Sequence, residues 1–335
     1  MVASLSSAVP GLALLDHRLL IVTGKGGVGK STIAAALALL AARRGRRVLV
    51  CELNAQERVA PLLGAPLAGF ETRQALPNLF TVNVTPRDAM REYGIMTLRF
   101  KSIYDAVFEN RVVRYFLRAI PSLSELVMLG KVLYEVRVQE HGRPRWDLVI
   151  LDAPATGHAV QLLRVPGALM DTVPPGPLRR DAEWMHALLV DPGTTSLSIV
   201  TLPEEMPVNE AIELDAAVRG LLGIARGALF VNAMPEARFS AEETSRLSDL
   251  AAGGAPLGPA ALAARLQAIR AEQAGRYLAR ARAALDLPTV LVPLLAREQW
   301  DLGAVEAVAA AIAGSGEAGG ERAEVEALSP RLERL

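Results

Sequence analysis

The sequence predicts an α/β fold: a doubly wound, mostly parallel sheet flanked by helices, with a helical insertion. Three observations carry this. Short apolar runs rich in β-branched residues recur, continuous rather than alternating, as in strands covered on both faces by crossover helices. Longer segments with helical spacing separate them. A glycine-rich turn joins the first run directly to the first helix. The strands are read over 19–23, 47–51, 79–84, 148–152, 197–202, 227–232 and 289–293. They span most of the 335 residues, so one domain is expected over 18–313, with an N-terminal extension over 1–17 and a flexible tail over 314–335.

The first helix, over 31–44, is rich in Ala and Leu and ends in Arg43, Arg44, Arg46 and Arg47. Cations are favourable at a helix carboxyl end, so this cluster is not read as a nucleic-acid face. From about 86 to 140 the pattern is helical with no strand, which is the insertion. Met96, Phe100, Tyr104 and Phe108 recur there at i, i+4 spacing and would line one helix face. Such a stripe is ordinary core or dimer contact, with a hydrophobic client groove as the alternative. A second, more polar helical stretch over 240–285 is interrupted by the Gly/Pro-rich segment 253–259.

Composition narrows the function classes. Hydrophobic residues make up 51% of the chain, enough for a large core, which excludes a disordered protein. The 36 basic and 36 acidic residues cancel, so nucleic-acid binding through bulk charge is not expected. The single cysteine, Cys51, excludes a disulfide framework within the chain, and likewise a cysteine-ligated zinc site or iron–sulfur cluster. The stretch before His17 lacks the basic start of a targeting signal, and the longest apolar run, 33–42, is too short to span a bilayer. A cytoplasmic protein is the expectation.

Gly24-Lys25-Gly26-Gly27-Val28-Gly29-Lys30-Ser31 fits G-x-x-x-x-G-K-[ST], after a strand and before a helix. Glycines let backbone N–H groups curl around phosphate oxygens, and the helix amino end adds positive potential. Lys30 would reach the β- and γ-phosphates, and the Ser31 hydroxyl would ligate Mg²⁺. The expected nucleotide-binding set is Gly26, Gly27, Val28, Gly29, Lys30, Ser31 and Thr32, with ATP and Mg²⁺ bound. Only four of the basic residues are lysines, yet Lys25 and Lys30 share this loop. Lys25 has no acid nearby in sequence to pair with. Asp152 ends an apolar strand, where a carboxylate can hold Mg²⁺ through water.

Asp152-Ala153-Pro154-Ala155-Thr156-Gly157-His158, followed by Leu162-Leu163-Arg164-Val165-Pro166, resembles the switch II segment of the arsenical-pump and tail-anchored-protein targeting ATPase family. A lysine just after the first loop glycine marks the same family's deviant phosphate loop. Leu202-Pro203-Glu204-Glu205-Met206-Pro207 resembles its strand-end turn. Phe230-Val231-Asn232 and Val292-Pro293-Leu294-Leu295 resemble the two segments that hold adenine, so Asn232 and Pro293 join the site. The resemblance implies a Mg²⁺-dependent ATPase that closes as a dimer, homomeric or with a paralogue, with Lys25 reaching the partner's nucleotide.

The chain departs from that family in two places. An aspartate that orients the attacking water is replaced by Glu52, which keeps the carboxylate but adds a methylene. The alternative for Glu52 is a structural carboxylate near Arg47 or the loop. The Cys-x-x-Cys pair that holds zinc between subunits in the targeting branch is missing, and Cys51 alone cannot supply an arsenite site. Three readings follow: ATP-driven handling of a hydrophobic client, a regulatory or partitioning switch acting on a partner such as one at a membrane, and an anion-pump subunit. The 321–335 tail lacks the wide apolar face of a membrane helix, which favours the first.

Overall fold

The computed structural model describes residues 10–98, 123–252 and 258–314. The order is α1 (Pro10–Ala13), β1 (Leu19–Gly24), α2 (Lys30–Arg43), β2 (Val48–Leu53), α3 (Val59–Leu62), β3 (Arg73–Leu76), β4 (Leu79–Val84) and α4 (Pro86–Leu98). Then come α5 (Leu123–Arg137), a hairpin of β5 (Gln139–Glu140) and β6 (Arg143–Pro144), β7 (Leu148–Ala155), α6 (Thr156–Thr172), α7 (Pro177–Val190) and β8 (Thr195–Thr201). The chain continues through α8 (Glu205–Ala217), β9 (Arg226–Met234), α9 (Ala241–Ala252), α10 (Gly258–Leu285), β10 (Thr289–Pro293) and α11 (Leu302–Gly314).

One sheet has the order β10-β9-β8-β1-β7-β2-β4-β3. Every pairing in it is parallel except β3 with β4. All the strands read from the sequence are present, and their ends move by a few residues. β3 was not legible: Arg-Gln-Ala-Leu is polar and half exposed, and it pairs only at the edge.

Successive side chains in each strand point to opposite faces. Leu20, Val22, Val50, Ile150 and Phe230 face α2 and α11, whereas Leu19, Ile21, Leu49, Val149 and Leu151 face α5, α6 and α8. Both faces are covered by helices, so most strands read as continuous apolar runs, with β8 an exception in its buried Ser196 and Ser198. α2 is buried from Ile33 to Leu39, and its alanines let the helix sit close on the sheet. Residues ahead of the predicted domain join this layer. Leu14 and Leu15 are buried, and Gly11 lies so close to Ile312 of α11 that a Cβ would meet its side chain at 2.6 Å.

The predicted insertion holds α4 and α5. A cavity of about 410 Å³ opens beside them against α7, lined by Tyr93, Leu126, Tyr134, Lys131, Trp184 and Met185, among others. The stripe residues Phe100, Tyr104 and Phe108, and the side chain of Met96, lie outside the described residues. The predicted break in the 240–285 stretch also falls largely on residues outside the description, 253–257, with α9 and α10 on either side. Among the described residues no helix is long and apolar enough to cross a membrane.

Candidate nucleotide site

The strand order builds the site. β7 lies between β1 and β2, so the carboxyl ends of these three parallel strands sit side by side. Open α/β sheets bind ligands outside such ends, where the winding reverses. Asp152 is in register with Val22 of β1 and with Glu52 of β2. The phosphate loop, Asp152 and Glu52 therefore face one cleft of about 770 Å³. Gly26, Gly27, Gly29, Lys30, Ser31, Thr32, Glu52 and Asp152 line it, together with Arg58 and Trp300.

Two glycines have no substitute in the loop. Gly24 adopts φ +154°, and a Cβ there would lie 2.1 Å from the Val200 carbonyl oxygen of β8. Gly29 adopts φ +94°, and its Cβ would fall 2.3 Å from Asn232 Nδ2. These positions let the loop pass close to its neighbours, and α2 then starts with its free N–H groups aimed into the cleft.

Lys30 Nζ donates to the Lys25 carbonyl at 3.1 Å, so the ammonium folds back over its own loop. Burial lowers the Lys30 pKa, opposed by the charge of Asp152. Ser31 Oγ donates to Asp152 Oδ2 at 2.6 Å. Asp152 Oδ1 is buried and has no hydrogen-bond partner. Burial raises the Asp152 pKa, against the pull of the Ser31 hydrogen bond and of Lys30. A hydroxyl and a carboxylate with one unanswered oxygen form a hard-oxygen set that fits Mg²⁺.

Glu52 is 3% exposed, and both its oxygens are engaged. The backbone N–H of Arg58 donates to one at 2.7 Å and that of Val59 to the other at 3.3 Å. The side chain thus holds the start of α3 and closes the 53–58 loop on itself. These contacts tie the carboxylate to the loop, as the alternative weighed above would have it, and they leave the water-orienting reading open. Arg47 takes no part in it: its guanidinium lies over the Trp146 ring, 4.8 Å from the centroid.

Burial raises the Glu52 pKa to about 7, partly offset by the two N–H donors. A carboxyl shifted up in this way binds its proton more tightly in the folded chain than in the unfolded one. Through this group the nucleotide-free protein is stabilised below about pH 4.5, and that stability is lost as pH rises through about 7. Glu52→Gln should remove this slope, amounting to about 3 kcal/mol at most. Denaturant unfolding of both proteins at pH 5 and pH 8 measures it, and equal pH dependence in the two would show that the Glu52 carboxyl titrates normally.

Asn232 and Pro293 end the neighbouring strands β9 and β10 but do not line the cleft around Lys30. Asn232 Nδ2 donates to the Val28 carbonyl at 2.9 Å, so this amide braces the loop. Lys25, expected without an acidic neighbour, pairs with Glu210 of α8 at 2.6 Å. Arg58 is a cleft residue that no motif flagged. Its charge adds slightly to the lowering of the Lys30 pKa by burial and works slightly against the raising of the Asp152 pKa by burial. The only signal in the sequence was a cation shortly after Glu52.

A family model described as anion-transporting ATPase matches residues 17–174. The chain is similar to the ATPase BagA of Mycobacterium tuberculosis, 30% identical over 83% of this chain and 86% of that protein. It is also 30% identical to an arsenical pump-driving ATPase of Escherichia coli, over 64% of this chain and 34% of the relative. A putative arsenical pump-driving ATPase of Halobacterium salinarum is 26% identical over 65% of this chain and 35% of its own length.

Proposed function

The chain belongs to the anion-transporting ATPase family, and on that premise we propose that it hydrolyses Mg²⁺·ATP in the cleft at β1, β7 and β2 and couples turnover to dimer closure and to handling of a hydrophobic client or partner. The observation that carries the site is the Ser31–Asp152 pair with its unpartnered Oδ1 beside Lys30. Ser31 and Asp152 are the residues that would hold Mg²⁺, Asp152 through water. Bound there, the ion supplies neutralisation of charge on the β- and γ-phosphate oxygens.

The chain's own groups do the rest. The loop N–H groups and the start of α2 bind the phosphates. Lys30 leaves the Lys25 carbonyl and spans the β- and γ-oxygens. Arg58 adds a second cation at the cleft wall. Each Glu52 oxygen accepts one backbone N–H, from Arg58 or Val59, and keeps a lone pair with which it can orient a water. A misplacement of about 1 Å can cost on the order of 100-fold in rate. Lys25 completes the charge neutralisation from the other subunit. Asn232 Oδ1 and Pro293 take the adenine side.

Similarity to arsenical pump-driving ATPases favours a second reading, an anion-pump subunit. Arsenite is a poor match for its ligand, because Cys51 is the sole cysteine and is fully buried, with its thiol pKa pushed up by burial.

Calorimetric titration with ATP, with and without Mg²⁺, tests the site. The wild type should bind ATP more tightly when Mg²⁺ is present. Asp152→Asn should lose most of that gain, roughly tenfold. If the gain persists in full, Asp152 is not part of the site.

A further inference from the structure

We propose that Glu210 is a positioning residue for this ATPase: it holds the phosphate loop and the switch II segment together in a resting arrangement that must open before the dimer can close. The inference rests on the reading that Lys25 acts on a partner subunit's nucleotide. Lys25 Nζ donates to Glu210 Oε1 at 2.6 Å, and Thr156 Oγ1 donates to Glu210 Oε2 at 3.2 Å. One carboxylate therefore joins three elements: the loop after β1, the first residue of α6, and α8.

The chemistry favours a latch over a permanent strut. The bond to Glu210 draws the Lys25 ammonium back onto α8 of its own subunit, away from the reach it needs toward a phosphate on the partner. The two side chains of the pair keep 28% and 30% of their surface exposed. Pairs with that much solvent contact are worth little, and a polyphosphate, with several anionic oxygens, outcompetes a single carboxylate for the ammonium. Thr156 lies four residues beyond Asp152, in the segment that follows the Mg²⁺-holding strand end. Loss of either contact on the shared carboxylate loosens the other, so movement at Asp152 and release of Lys25 become one event.

Sedimentation with a nonhydrolysable ATP analogue and Mg²⁺, over a range of protein concentrations, tests this without relying on turnover. Glu210→Gln keeps the side-chain shape and removes the charge. It should dimerise at roughly tenfold lower protein concentration than the wild type, since each dimer must break two such pairs. In a Lys25→Ala background the same change should have no effect. Thr156→Val, which keeps Glu210 intact, should shift the threshold in the same direction by a smaller factor.

A Glu210→Gln threshold equal to that of the wild type, with Lys25→Ala still unable to turn over ATP, overturns the latch and leaves the reading of Lys25 standing. A shift that survives in the Lys25→Ala background also overturns it, because Glu210 would then act through another group. If Lys25→Ala dimerises and hydrolyses ATP like the wild type, the underlying reading fails and the latch fails with it. Should Glu210→Gln not fold, an unshifted threshold in well-folded Thr156→Val overturns the coupling of the two segments.

Discussion

Replacing Lys30 with alanine should weaken ATP binding by about a hundredfold or more and abolish measurable turnover. Lys30 is the first residue of α2 and its ammonium lies over the loop, 3.1 Å from the Lys25 carbonyl. Two charge-assisted hydrogen bonds to phosphate oxygens, each worth about 1.5–3 kcal/mol, account for a loss of that size. Among the described residues, Arg58 is the other cation lining the cleft and stands at its wall, and Lys25 does not line it. Asp152 would also lose the charge that opposes its burial, which further weakens the Mg²⁺ side of the site. Isothermal calorimetry decides the matter, with circular dichroism to establish that the variant is folded. Affinity equal to that of the wild type would sink the phosphate-loop assignment.

Lys25→Ala should behave differently. ATP affinity should stay within about severalfold of the wild type, because Lys30 serves the nucleotide of its own subunit. Turnover should fall by about a hundredfold or more, since a cation supplied in trans to a phosphoryl-transfer site contributes on the order of 10³ or more in rate. Mixing Lys25→Ala with Lys30→Ala subunits separates the two roles. In the mixed dimer, the site with an intact Lys30 faces the partner that still carries Lys25, so that one site should recover activity. A mixture with verified mixed dimers that stays as inactive as its parents would place Lys25 within its own subunit's site or outside the chemistry altogether.

The two lysines also mark the boundary between what sequence and structure each reveal. Lys30 and Ser31 were legible because their chemistry follows from spacing within one loop between a strand and a helix. The partner of Lys25 was not, because Glu210 stands 185 positions away. Asn232 was read as an adenine contact; what the structure shows is its amide bracing the Val28 carbonyl, an approach possible only because Gly29 has no side chain. Glu52 was read through the resemblance, as standing where the family has an aspartate after the second strand. Its grip on the Arg58 and Val59 amides depends on how the 53–58 loop turns back, which no local pattern records.

The sequence by itself determined the class of sheet, the phosphate loop and the carboxylate of β7, since each lies in a short run whose spacing and polarity reflect local geometry, and the resemblance of its motifs pointed to the family. Only the tertiary structure decided that Leu14 and Leu15 belong to the core, that a polar edge strand precedes β4, and that Arg58 and Glu210 stand at the site. The physical reason lies in the winding of the sheet. β7 enters between β1 and β2, and β8 pairs on the other side of β1, so residues more than a hundred positions apart share one edge. Contacts across that edge depend on strand order and on helices packed from both faces, and neither is written in the pattern of any single segment.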